Sequence, residues 1–170
     1  MIAMLIIIGV VLIVAVWLIG IYNSLIKNRN LVKEGWSGMD VQLKRRADLI
    51  PNLLETVKGY MGHERGVLEQ VTELRARGLQ TENMEERAKL EGALSRSLAN
   101  LFAVAEGYPD LKANQNFLDL QTQLAHLEEQ IQMARRYYNG TVRDYNIRVE
   151  SFPSKRAMPA TEMIRGVWVL

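Results

Sequence analysis

From Ile2 to Tyr22 the chain reads IAMLIIIGVVLIVAVWLIGIY, a run without a single charge. No other feature limits the fold so strongly. About 20 apolar residues suffice to cross a bilayer as one helix. A cleaved secretion signal would want a basic start, a shorter apolar stretch and a small-x-small cleavage site. Nothing basic precedes this run, and Trp17 and Tyr22 sit towards one end, as interfacial aromatics do. The expectation is an uncleaved transmembrane anchor over residues 1–23, in contact with membrane lipid. Lys27, Arg29 and Lys33 follow, opposed nearby only by Glu34, and cationic flanks tend to stay on the cytoplasmic side. The expected topology is a single pass through a bacterial inner membrane, with the rest of the chain cytoplasmic.

Every charged residue lies at or beyond Lys27. The 21 Lys and Arg against 19 Asp and Glu leave a net charge of +2. That balance argues against a nucleic-acid-binding surface. With no cysteine, disulfides, thiolate metal sites and cysteine nucleophiles are excluded.

Beyond the anchor, apolar residues keep helical spacing. Tyr22, Leu25, Val32, Trp36, Met39 and Leu43 fit a 3-4 alternation interrupted at Arg29. The pattern resumes through Ala47, Ile50, Leu54, Val57, Met61, Leu68 and Val71. It is cleanest from Phe117 to Val149, through Leu120, Leu124, Leu127, Ile131, Ala134, Tyr138, Val142 and Tyr145. A narrow stripe of this kind belongs to a bundle or coiled coil. The predicted fold is all-α: a transmembrane helix, then an antiparallel up-and-down bundle of long helices over 24–153, then a tail over 154–170.

Punctuation divides the pattern. Gly78, Thr81 and the acids Glu82, Glu85 and Glu86 mark the end of one helix and the start of another. In GYPDLKAN (107–114), Gly107 is placed to end a helix in the left-handed conformation and Asp110 to cap the next. Pro51 removes a backbone donor and clashes with the turn before it. An unbroken helix from 24 to 77 would run roughly 80 Å, about twice its neighbour over 82–106. The expectation is therefore a corner near 46–50, with Asp48 as cap and four helices; three helices with a kinked first one is the alternative. The cations Lys44, Arg45 and Arg46 then read as helix-end charges in solvent.

Catalytic constellations are missing from the sequence. His63 and His126 are far apart, and His63-Glu64 lacks the second histidine of a zinc-protease helix. There is no phosphate-cradling glycine loop and no Gly-x-Ser-x-Gly elbow. The chain reads as no enzyme, with no cofactor, metal or small-molecule substrate. ARRYYNGTVRDYN (134–146) offers either bundle packing with a polar fringe or a partner-binding groove, since Tyr and Arg are favoured anchors. The last helix also outreaches its neighbours by about 15 Å or more. Covering that overhang calls for the tail, a bent helix or another protomer, which is the basis for expecting a homo-oligomer.

Three blocks, YNSLIKNRNLVKEGWSGMDVQLKRRADLIPNLLETVKGYMGHE, YPDLKANQNFLDLQTQL and RRYYNGTVRDYN with ESFPS, resemble the LemA family of bacterial membrane proteins. The resemblance covers residues 22 to about 154. It implies one N-terminal membrane helix carrying a bundle of long helices that faces the cytoplasm, and it brings no established enzymatic activity. It also implies, from a related magnetosome-associated protein, work in shaping or organising membranes, and genes that often lie beside that of a membrane zinc metalloprotease. Tyr22, Asn23, Asp40, Arg45, Arg46, Asp48, Pro51, Asn52, Tyr108, Pro109, Asn114, Asn116, Tyr138, Asn139, Tyr145, Asn146, Phe152 and Pro153 match the blocks, as structural or interaction positions. Arg143 is added from the residues themselves, as a partner contact. After ESFPS the family continues with an asparagine and a phenylalanine-rich segment, whereas this chain reads KRAMPATEMIRGVWVL.

Two functions are expected from this reading. One is a non-enzymatic membrane scaffold that self-associates and organises membrane or partner proteins. The other is a monomeric adaptor or regulator of another membrane protein, such as a metalloprotease.

Overall fold

A computed structural model describes residues 1–62 and 64–151. His63, Phe152, Pro153 and the tail over 154–170 lie outside the described residues. Five helices follow one another: α1 (Ile2–Lys58), α2 (Arg65–Gln80), α3 (Met84–Ala105), the single-turn α4 (Pro109–Lys112) and α5 (Gln115–Glu150). Among the described residues there is no strand.

The corner expected at 46–50 is not there. α1 is one helix of 57 residues with Pro51 inside it, and Asp48 is an exposed mid-helix residue rather than a cap. Proline at 51 leaves the Ala47 carbonyl without its i+4 donor. Arg75 of α2 supplies a replacement, its Nε donating to the Ala47 carbonyl at 2.5 Å. The apolar face also continues across the proline, with Ile50, Leu53, Leu54 and Val57 all buried. Each such side chain contributes roughly 1.5–3 kcal/mol on burial, enough to offset the ~3 kcal/mol cost of an interior proline. The turn comes eight residues later, at Gly59-Tyr60-Met61-Gly62.

The other boundaries follow local chemistry. Asn83 caps α3, its side chain accepting from the backbone N–H groups of Glu85 and Glu86 at 2.9 and 3.0 Å. Thr81 stands at the end of α2 as its C-cap. Gly78 lies buried within α2. Gly107 keeps ordinary backbone geometry, donating its N–H to the Val104 carbonyl at 3.0 Å. Pro109 opens α4 at the position where a missing donor costs nothing. Asp110 lies in that first turn without capping it, the N-cap being Tyr108. Asn114 caps α5, accepting from the Phe117 N–H at 3.1 Å.

The chain divides into two compact units, each described by itself. The bundle unit is Ser37–Arg136. Its ion pairs give the topology. Asp40 and Arg46 of α1 meet Arg87 and Glu91 of α3 in the same order, so those helices run parallel. Phe102 and Phe117 meet edge to face with ring centroids 6.0 Å apart, and Ser95 bonds Glu128, so α3 and α5 are antiparallel. Within the unit, α1, α2, α3 and α5 form an up-and-down four-helix bundle around Ile50, Leu53, Val57, Val71, Leu94, Leu101 and Phe117.

The paired-helix unit joins Met1–Trp36 with the described part of Tyr137–Gly166. It holds two antiparallel stretches, shown by the register of Ser24 with Arg148 and Gly35 with Tyr138. Leu25 and Val32 of α1 are buried, as are Tyr138, Val142, Tyr145 and Val149 of α5. The overhang of α5 inferred from sequence is thus covered by α1 of the same chain, because α1 runs on through residues 24–36 without a break.

Candidate functional site

The polar centre of the bundle unit is built around Arg46. Met39, Leu43, Arg46, Ile50, Leu53 and Val57 recur at spacings of four and three, so Arg46 occupies a core position of α1. Its side chain is 2 % exposed, which corrects the expectation of a solvent-facing cation. On α3, Glu91 takes the corresponding place in the row Glu91, Leu94, Leu98, Leu101, Ala105, and it too is buried. Two opposite charges thus fall where a bundle expects apolar residues.

The guanidinium is engaged through its two terminal nitrogens, while its buried Nε has no hydrogen-bond partner among the described residues. Nη2 donates to the Glu91 carboxylate and, at 3.4 Å, to the Glu91 carbonyl. Nη1 donates to Glu128 Oε2 at 2.6 Å and to Ser95 Oγ at 2.7 Å. Ser95 Oγ lies 3.1 Å from the same Glu128 oxygen, and Gln132 donates to the other Glu128 oxygen at 2.9 Å. A Cβ on Gly78 of α2 would stand 3.2 Å from Glu91 Oε1, so the glycine leaves room for this carboxylate.

One guanidinium facing two carboxylates carries a local excess of one negative charge. Glu128 is the open member, its side chain 35 % exposed. Beside it lies a cavity of about 300 Å³, lined by Arg46, Ser95, Leu98, Phe102, Leu124 and Glu128. A second depression of about 530 Å³ shares Ala125 and Glu128 and runs to Met133 and Arg136. The chemistry on offer is recognition: fixed hydrogen-bond acceptors beside apolar walls. Among the described residues no three of His, Asp and Glu come together as metal ligands would.

Asp40 forms a smaller cluster, bonded to Arg87 at 2.5 Å and to Lys44 at 2.8 Å. Partial burial pushes its pKa up. The hydrogen bonds and charges of Lys44 and Arg87 outweigh that and hold the carboxyl below its ordinary 3.8.

The other positions singled out in the sequence separate into ties, packing and surface. Tyr108 donates its hydroxyl to Glu64, which raises the pKa of the phenol. Asn114 donates to the Tyr60 hydroxyl at 3.0 Å, so the α1–α2 turn and the α3–α5 turn are held together twice. Arg45, Asn52, Pro109 and Asn116 are exposed. In the paired-helix unit, Trp36 packs on Tyr138 with ring centroids 5.9 Å apart, and burial raises the pKa of Tyr138. Tyr145 is buried, Asn139 and Asn146 are half-buried, and Arg143 is exposed with Nε 3.5 Å from Asp144. Ile2, Trp17 and Tyr22 are all exposed on α1.

Sequence reading missed Glu91, Ser95, Glu128, Arg75 and Glu64. The signal available was a charge standing in an apolar heptad row, at Arg46 and again at Glu91.

A profile of the LemA family matches residues 35–163. The chain belongs to the LemA family. Protein LemA of Metamycoplasma hominis is 26 % identical over 139 residues, covering 81 % of this chain and 60 % of that relative. This chain therefore spans about 60 % of that curated relative's length. The match takes in the Arg46 network, the two tied turns and the α5 stretch that packs on Gly35.

Proposed function

We propose that this LemA-family chain is a non-enzymatic, membrane-anchored scaffold that self-associates and organises membrane or partner proteins. The observation that carries the membrane-anchored part of the reading is the first half of α1. Its apolar segment is long and apolar enough to cross a membrane, and none of it is buried. The same helix continues without interruption into Leu25, Val32 and Gly35, which are packed. An apolar helix left bare at one end and built into a unit at the other suits a permanent anchor better than a segment to be cut away. In the bundle unit both terminal nitrogens of Arg46 are engaged by Glu91, Ser95 and Glu128, as in a structural network.

A second reading, a monomeric adaptor for another membrane protein, is favoured by two observations. The end of α5 is covered in cis, and the depression along Ala125, Met133 and Arg136 is open. Particle mass separates the two. The full chain is measured in mild detergent and in native-lipid particles, beside a version starting at Asn28. A discrete large homo-oligomer that needs the apolar helix supports the scaffold. A monomer or dimer in both forms rejects it, and the search moves to the membrane protein that co-purifies with the intact chain.

A further inference from the structure

The paired-helix unit gathers cations at the foot of the apolar segment. Arg148, in the last turn of α5, donates from Nη1 to Ser24 Oγ at 2.8 Å. Ser24 is two residues beyond Tyr22, about 3 Å along the helix axis. Lys27 is exposed and stands three residues after Ser24, a spacing that makes side chains neighbours on one helix face. Arg148, from the far end of the chain's longest soluble helix, and Lys27 are thereby brought to one patch. Among the described residues the acids at this end are Asp144, one turn back from Arg148 and 3.5 Å from Arg143, and Glu150. Against them stand Lys27, Arg29, Arg143 and Arg148, so the positive sign prevails.

Depth decides what the anion is. With Tyr22 at the hydrocarbon boundary, Ser24 and Lys27 lie about 3 and 7.5 Å beyond it. The headgroup layer is roughly 5–8 Å thick on each side, so both fall at the level of lipid phosphates. Ile147 precedes Arg148 and is 54 % exposed, an apolar side chain in the same turn. Its carbonyl is satisfied by Ser151, whose Oγ donates at 2.6 Å, so the last turn is closed.

We propose that Arg148 and Lys27 form a site for the phosphate headgroup of anionic phospholipid, with Ile147 set into the interface beside it. The inference rests on the membrane-anchored reading above. It makes the end of α5 a second contact with the bilayer, in addition to the apolar helix.

The cysteine-free sequence allows a clean test. Full-length chains carrying one spin label, at Ile7→Cys, Tyr137→Cys or Ile147→Cys, are reconstituted in nanodiscs. The discs contain phosphatidylcholine alone or with phosphatidylglycerol, and accessibility to oxygen and to a water-soluble nickel complex is measured. The expected result is lipid exposure at 7 in both discs and water exposure at 137 in both. At 147 the label shifts towards the interface only with phosphatidylglycerol, and Arg148→Gln abolishes that shift while Arg148→Lys retains it. A label at 147 that stays aqueous while 7 is in lipid overturns the headgroup site and leaves the anchor standing. An aqueous label at 7 rejects the anchor itself. If inorganic phosphate added to phosphatidylcholine discs gives the same shift, the site takes free anions and the lipid assignment fails.

Discussion

The two units solve the same problem, holding α5 against α1, by different means. In the bundle unit the helices are registered by charge: Arg46 is buried between Glu91 and Glu128. In the paired-helix unit, where the described residues form two antiparallel stretches, close packing joins the Arg148–Ser24 hydrogen bond in setting the register. Gly35 lets the Tyr138 backbone approach until a Cβ at 35 would be 3.3 Å from Tyr138 Cα, and Trp36 closes over the Tyr138 ring. The contrast teaches what four helices permit that two do not. A closed core can desolvate an ion pair and satisfy it on several sides, whereas a helix pair has too little interior to bury a charge.

Substitutions can break that contrast. Leu127→Asp buries an unpaired carboxylate in the bundle unit, costing several kcal/mol. Against a typical stability of ~5–15 kcal/mol, the unit is expected to unfold, seen as loss of helical circular dichroism. A folded, monodisperse variant would show Leu127 not to be core. Arg46→Met should cost about 3–5 kcal/mol in denaturant unfolding, because two carboxylates lose their partner. Replacing Glu91 by Met and Glu128 by Gln as well should recover most of that, since apolar groups of similar volume often match a buried ion pair. A cost below ~1 kcal/mol for Arg46→Met alone would mean that charge does not set the register.

The shape-based unit is probed at its close approach. Gly35→Val should cost about 1–3 kcal/mol, the range for overpacking, and release the Trp36 ring from Tyr138, visible as a change in tryptophan fluorescence. Unchanged emission and stability would contradict the role given to Gly35. Gly78→Ala makes a subtler comparison. Alone it should be near neutral, as helix propensity gains up to ~1 kcal/mol while the Glu91 carboxylate is crowded. In a Glu91→Ala background the same change should stabilise, and equal effects in both backgrounds would show that Gly78 does not serve Glu91.

The smallest effect is pH dependence. Asp40 has a lowered pKa in the folded chain. Its contribution is therefore complete above the ordinary carboxylate value and is lost as pH falls through the lower folded value. Asp40→Asn should lower stability at neutral pH and flatten the decline in this acid range. An unchanged acid slope would show that the Lys44 and Arg87 contacts contribute nothing.

Much of this architecture was legible because periodicity reports directly on burial. The row from Phe117 to Val149 reads as core and is core, with Leu120 and Ala134 only partly covered. The misplaced corner has a physical reason. Pro51 is the stronger local breaker, but breaking strength is decided by whether the freed carbonyl finds a donor, and that donor is Arg75, in another helix. The real turn at Gly59–Gly62 is written in two weak signals. Arg46 was misread for a related reason: a cation in a heptad row looks like a helix end until Glu91 and Glu128 arrive from elsewhere in the chain. Local rules see propensity, and these residues are governed by partners distant in sequence.

The Arg75 bond has a consequence for how the chain is made. The Ala47 carbonyl receives its donor from a residue 28 positions later. At ~5–20 residues per second of synthesis, Ala47 exists for about 1–6 s before Arg75 has been added. During that interval the nascent chain has its apolar helix complete and its first core helix interrupted at the proline. The section of α1 after Pro51 is thus set to wait for α2, and the four-helix core closes only after α3 and α5 have followed.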